Sequence, residues 1–257
     1  MKWVPTLPCG PMGSEWKKLC RLLINFLAAA RASWSLVTED VGPSARSVHA
    51  GAWDSSRQRF WVHAGAGEQL LKDLWAFDAT TGAWTSITAT WDGHGPSKRK
   101  DHVAVWDPSG ALWIHGGFDG TNFVKDLWKY SDNWTIIAGN SVAGPCARSE
   151  HVAVWDSIHS VLWIHGGYDG NLKSDLWKYD SDWSLIQTPN MPSARAQHVA
   201  VWDDARLAIW LHGGYDEQGA SAKTKRMGKL TRRCCLGVIL DGAVNDSPVS
   251  LLHIAIR

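Results

Sequence analysis

Three stretches of the sequence read HVAVWD, at residues 102–107, 151–156 and 198–203, and a fourth, at 49–54, reads HAGAWD. No other feature constrains the fold as strongly. A period of about fifty residues makes each unit one supersecondary structure that must bury its apolar faces against its neighbours. Three further strings follow the openings in a fixed order, all of them in the first three units and the first of them also in the last. The second is WVHAG at 61–65, LWIHGG at 112–117 and 162–167, and IWLHGG at 209–214. The third is DLWAFD at 73–78, DLWKYS at 126–131 and DLWKYD at 175–180. The fourth is a tryptophan leading a short apolar run, at 84–87, 134–137 and 183–186.

Each run is too short for a helix and is punctuated by Gly, Asp, Asn or Pro, so each unit reads as a four-stranded antiparallel meander. Alternation along a strand sets His102, Ala104 and Trp106 on one face and Val103 and Val105 on the other. Both faces are largely apolar, which requires sheets covered on both sides, as when blades pack face to face. Gly116–Gly117 is placed to bend the second strand close to neighbouring backbone, and Asp119–Gly120 and Asp169–Gly170 supply the turns that follow. The tryptophan content fits the same frame. The chain holds 18 Trp against 5 Phe and 4 Tyr. A buried indole needs a partner for its N–H, so such a number implies a recurring structural position.

In order and spacing these strings resemble the kelch repeat: a first strand opened by Arg-x-x-His, a second ending in Gly-Gly, then an aromatic, then Trp. The resemblance covers residues 34–215. It implies an all-β, kelch-type β-propeller of about four blades, a low count that suggests an incomplete or open ring, a fragment or a diverged product. The first unit departs from the pattern with Ala64–Gly65. Tyr130–Trp134 and Tyr179–Trp183 shorten the outer hairpin relative to Phe77–Trp84. The sequence WSLV at 34–37 matches a fourth strand without its first three. The last unit shows strands one and two and then AKTKR where DLW is expected, so its third strand is expected to be missing and the 34–37 segment to pair with it. The chain therefore divides into an N-terminal extension (1–33), a repeat region (34–215) and a basic, non-repeat tail (216–257). The alternative is a complete four-bladed ring.

Residues 16–30 read as a short helix with Leu19, Leu22, Leu23, Phe26 and Leu27 on one stripe, too short to span a bilayer. It is either an amphipathic helix beside the repeats or a secretory signal ending near Ala30-Arg31-Ala32. The tail carries Lys223, Lys225, Arg226, Lys229, Arg232 and Arg233, read as a solvated, poorly ordered segment rather than a phosphate-gripping patch. A formal net charge of +1 gives no global attraction to nucleic acid or membrane. Five cysteines without CxxC spacing argue against a disulfide framework or a zinc site and favour a cytoplasmic location, with secretion as the alternative if residues 1–32 are a signal.

The recurring histidines are expected to hydrogen-bond within their own blades rather than hold a metal. Arg46, Arg99, Arg148 and Arg195 precede the first-strand histidines and share a face with the loops after Gly-Gly, which carry Asp119, Asp169 and Asp216. Paired with those acids, the arginines tie blades together; unpaired, they would form an acidic-motif docking ring. Partner choice falls to what varies on that face, with Trp91, Phe118, Tyr168 and Tyr215 as aromatic anchors. The resulting expectation is a non-catalytic protein-interaction module with no cofactor and no metal. Another protein is its partner, and it is open to oligomerisation if the ring is open. The alternative is a small-molecule enzyme on the same scaffold. By resemblance that means a sugar mutarotase or a galactose-oxidase-like protein, the latter drawing on Cys146 with Tyr168 and Tyr215, although no recognisable motif supports those three residues.

Overall fold

The computed structural model describes residues 35–37, 42–88, 94–139 and 143–227. The N-terminal helix expected at 16–30 lies outside these residues, as do Trp34, Trp91 and the tail beyond Met227. The chain forms two compact units, Met1–Ser149 and Glu150–Arg257. Each holds two propeller blades, and the described structure is all-β.

Blade one comprises β1 (Ala50–Asp54), β2 (Arg59–Ala66), β3 (Leu70–Asp78) and β4 (Ala83–Ser86), in sheet order 1-2-3-4. Blade two repeats it with β5 (Val103–Asp107), β6 (Ala111–Phe118), β7 (Phe123–Ser131) and β8 (Asn133–Ala138). In the second unit, blade three is β9 (Val152–Asp156), β10 (Val161–His165), β11 (Leu176–Tyr179) and β12 (Trp183–Ile186). Among the described residues blade four has three strands: β13 (Val199–Asp203), β14 (Ala208–His212) and β17 (Thr224–Met227). Between β14 and β17 stands a small ribbon of β15 (Tyr215–Asp216) and β16 (Gly219–Ala220).

The third strand expected to be missing from the last unit is therefore present. β17 pairs antiparallel with β14, Thr224 opposite His212 and Met227 opposite Ile209. Its lysines and arginine hid it because backbone pairing, not apolar patterning, holds it to the sheet. Conversely, Ser35–Val37 form no strand, and Leu36 is 73% exposed. The expected cover on both faces also fails at β13. Val199 and Val201 are exposed there, whereas Val154 at the matching position of β9 is buried.

Each sequence string has a local task. The Asp closing HVAVWD caps the first hairpin: Asp107 accepts from the Ala111 amide at 3.0 Å and the Ser109 hydroxyl at 2.6 Å. It also takes the indole N–H of Trp113 at 2.6 Å. Asp203 does the same for the Arg206 amide and the Trp210 indole, each at 3.0 Å. The outer hairpin keeps an aromatic pair whatever its length. Phe77 faces Trp84, Tyr130 faces Trp134 and Tyr179 faces Trp183, all with ring centroids 5.2 Å apart. At Gly117 (φ +105°) a Cβ would lie 2.7 Å from the Lys100 carbonyl oxygen, so only glycine fits where the second strand passes that backbone.

The core of the first unit gathers Trp61 and Leu74 of blade one with Leu112, Ile114 and Trp134 of blade two. That of the second unit gathers Val154, Trp163 and Leu176 with Ile209, and packs Met191, Trp202 and Met227 against them.

Candidate functional site

The arginines sit inside the scaffold. Arg99 is fully buried and grips Asp126 with both ends of its guanidinium, at 2.7 and 2.8 Å, while donating to the Gly116 carbonyl at 3.0 Å. Arg46 repeats the arrangement on Asp73 and the Ala64 carbonyl. The partner is thus the Asp of the DLW string and not, as expected, the Asp after Gly-Gly. The reason is local. In a strand, residues i and i+2 share a face, so the same carboxylate also accepts the indole N–H of the DLW tryptophan. The Trp128 indole donates to Asp126 at 2.7 Å, that of Trp75 to Asp73 at 2.7 Å, and that of Trp177 to Asp175 at 2.6 Å. Burial alone would raise the Asp126 pKa, but the Arg99 guanidinium holds it below the usual carboxylate range. The signal was in the sequence: Asp recurs in DLW in step with the arginine.

Arg148 and Arg195 are also fully buried. Arg148 donates to the carbonyl and the sulfur of Cys146, each at 3.1 Å. Arg195 donates to the Gly213 carbonyl at 2.7 Å and to Ser193. Its blade has no DLW acid. Gly166 donates to the Asp175 carbonyl in blade three and Gly213 donates to the Lys223 carbonyl in blade four, so Lys223 stands at the acid's position.

Two pairs of histidines join adjacent blades, whereas His212 bonds within its own blade as expected, 2.8 Å from the Thr224 hydroxyl. His63 of blade one lies 2.9 Å from His102 of blade two, and His165 of blade three lies 3.1 Å from His198 of blade four. A ring nitrogen must donate while its partner accepts, which neutral imidazoles satisfy. Burial, followed by the charge of Arg99, pushes His63 well below its ordinary pKa; burial dominates again at His198, which falls to about 3.

The remaining candidates line the loops. Phe118 ends β6, half-buried, with its ring 5.4 Å from Phe123 and the Lys100 ammonium 6.0 Å from its centroid. Asp119 fixes its loop by accepting from the Thr121 and Asn122 amides at 2.8 and 2.7 Å. A groove of about 530 Å³ near this edge of the first unit is lined by Leu70, Lys72, Ser97 and Lys98, among others. In the second unit Tyr168 is half-buried, and Asp169 accepts from the Asn171 amide at 3.1 Å and pairs with Lys173 at 2.8 Å. The Tyr215 hydroxyl donates to Glu150 at 2.9 Å. Burial, and then that carboxylate, push the phenol up to about 12. Asp216 turns the next loop through the Gln218 amide and holds Ser193 at 3.1 Å. The sequence reading missed Glu150, whose position before His151 gave no sign that it meets Tyr215.

The family model of the KLHDC2/KLHL20/DRC7 Kelch-repeats domain matches residues 17–136, a stretch that covers blade one and blade two up to the last two residues of β8. No curated protein sequence matches the chain.

Proposed function

The chain is a kelch-repeat protein, and we propose on that premise that it works as a non-catalytic module binding another protein through the loops after its Gly-Gly strands. One observation carries the reading: the invariant strings of each unit are used up inside the scaffold, and the loops that differ are each held in shape by an acid of their own. Arg46, Arg99, Arg148 and Arg195 then act as braces behind the face rather than as contacts. Phe118 in the first unit and Tyr168, Asp169 and Tyr215 in the second, all half-buried, are the side chains that rigid loops offer to a partner. The test is crosslinking capture from a lysate with the wild-type chain and with Phe118→Ala and Tyr168→Ala. A specific protein captured by the first and lost with either variant, at unchanged melting temperature, is the expected result. A melting temperature raised by a monosaccharide or by copper, with capture indifferent to both variants, points to small-molecule chemistry instead.

A further inference from the structure

Blade four ends at β17, and no strand pairs with its outer side among the described residues. A free strand edge is a template for another chain. Beside it the second unit holds a cavity of about 360 Å³, lined by His165, Leu176, Ile209, Leu211, Lys225 and Met227, with Met191 and Pro192 from the loop before β13. That volume falls within the range of ligand-binding clefts, roughly 300–1,000 Å³.

The first unit shows what such a place receives. Strand registers match His165 to His63, Leu176 to Leu74, Ile209 and Leu211 to Leu112 and Ile114, and Met227 to Tyr130. In the first unit these residues surround Trp134, the leading tryptophan of the fourth strand, whose ring lies 5.5 Å from His63 and 5.2 Å from Tyr130. The cavity is therefore the counterpart of the Trp134 seat, on a blade with three strands among the described residues. Its rim has changed sign and character. Lys225 occupies the place of Trp128, and Lys223 that of Asp126. Both are exposed, as is Arg226.

We propose that the outer edge of β17 and this cavity form a docking site for an extended peptide segment of another protein, of the form Trp-x-x-aliphatic followed by acidic residues. The register of blade three, with Trp183 opposite Tyr179 and Ile186 opposite Leu176, fixes how it lies. Carried to β17, the tryptophan stands opposite Met227 and enters the cavity. The aliphatic residue stands opposite Thr224, and the first acid beside Lys223. Main-chain pairing supplies affinity, the indole and the acids supply selectivity, and the lysines reward acid over base at the downstream end. The chain's own segment of related form begins at Trp34, and its described residues, Ser35–Val37, are exposed and outside any strand. This site is distinct from the loop face and does not depend on it.

The probe is a fluorescein-labelled peptide, Asp-Trp-Ser-Leu-Ile-Glu-Glu, titrated into the full chain by fluorescence anisotropy. Saturable binding is expected, weakened at least about tenfold when the peptide's tryptophan becomes alanine, or when its two glutamates become lysine. On the protein, Lys225→Glu with Arg226→Glu, both at exposed positions, weakens binding to a similar degree. Met191→Trp, which fills the cavity, does the same by a second route. Hydrogen exchange slows at the β17 amides when the peptide binds. The proposal is overturned if no binding occurs, if the tryptophan-less peptide binds as well, or if binding appears only once Trp34→Ser frees a seat held by the chain itself.

Discussion

Blades two and four open on the same six residues, HVAVWD, and diverge from the third strand onward. Blade two closes its buried Arg99 with Asp126, hangs Trp128 on the same carboxylate and adds a fourth strand that buries Trp134. Blade four keeps an equally buried Arg195 but sets Lys223 at the acid's position, and among the described residues its sheet ends on β17. The first two strands thus form from their own pattern, the caps and the hairpins. The brace and the outer strand complete a blade without being needed to start one. What blade two satisfies within itself, blade four leaves for other groups to satisfy.

The sharpest way to break the comparison is to remove the side chain at the shared position from each blade. Asp126→Ala leaves a buried guanidinium without its carboxylate and is expected to destabilise the first unit by about 3–5 kcal/mol. Lys223→Ala removes an exposed cation whose charge acts on Asp216 and should change stability by less than about 0.5 kcal/mol. Urea unfolding followed by hydrogen exchange in β6 and β14 reads the two separately. Equal losses at both positions would mean that Arg99 does not depend on Asp126.

Acid should strike both blades alike. His115 of blade two and His198 of blade four are each lowered to about 3, first by burial and then by neighbouring charges, Arg148 in one case and His165 with Arg195 in the other. The unfolded chain takes up protons at its ordinary histidine pKa, about 6.5, which the folded chain refuses until about pH 3. Stability is therefore full above about pH 6.5 and falls as pH drops from there toward 3, by at most about 1.4 kcal/mol per pH unit for each such histidine. Unfolding midpoints measured from pH 7.5 to pH 5 should hold level to about pH 6.5 and fall below it. His198→Gln should flatten the slope in the second unit and leave the first unchanged.

The sequence made the blades legible because each string repeats a geometric need. Gly117 and its counterpart Gly214 are required by close backbone, the Asp of HVAVWD by a hairpin, the tryptophans by carboxylates that take their indole protons. Relations between blades were less legible. Two acids recur in step with the arginines, and only the strand register shows that Asp126, rather than Asp119, meets Arg99. The histidine pairs join positions 39 and 33 residues apart, a link that no periodicity encodes. β17 was invisible because Thr224–Met227 carries no apolar alternation and owes its conformation to β14. Of the candidate contacts, the aromatic residues at the ends of the Gly-Gly strands were readable as variable positions, whereas Glu150, which holds Tyr215, was not.

Restoring the missing acid sharpens the comparison from the other side. Lys223→Asp places a carboxylate where Asp126 stands in blade two, with Arg195 already buried and oriented by the Gly213 carbonyl. A gain of about 1–2 kcal/mol in the second unit is expected, the worth of charge-assisted hydrogen bonds to a group that no longer has to be desolvated. The same change lowers positive charge at the rim of β17, so affinity for the acidic peptide should drop while stability rises. No gain in midpoint would mean that the hydroxyl and carbonyl groups around Arg195 already satisfy it.

The smallest effect extends the comparison to the residue before each first-strand histidine. Asp101 in blade two and Gln197 in blade four adopt left-handed backbone, φ +54° for both, and Val48 in blade one does so at φ +48°. The carbonyl of Val48 accepts the Asp101 amide at 3.0 Å, and that of Glu150 accepts the Gln197 amide at 3.0 Å, so the conformation is imposed by bonds between blades. A β-branched side chain tolerates this region worst, and aspartate or asparagine far better. Val48 is 44% exposed, so replacing it forfeits little packing. Val48→Asn should raise the urea midpoint of the first unit by the equivalent of about 1 kcal/mol at unchanged slope, and Asp101→Val should lower it by a similar amount. If both substitutions are neutral, the left-handed turn is not held by the blade-to-blade bonds, and the residue before the histidine is free to relax.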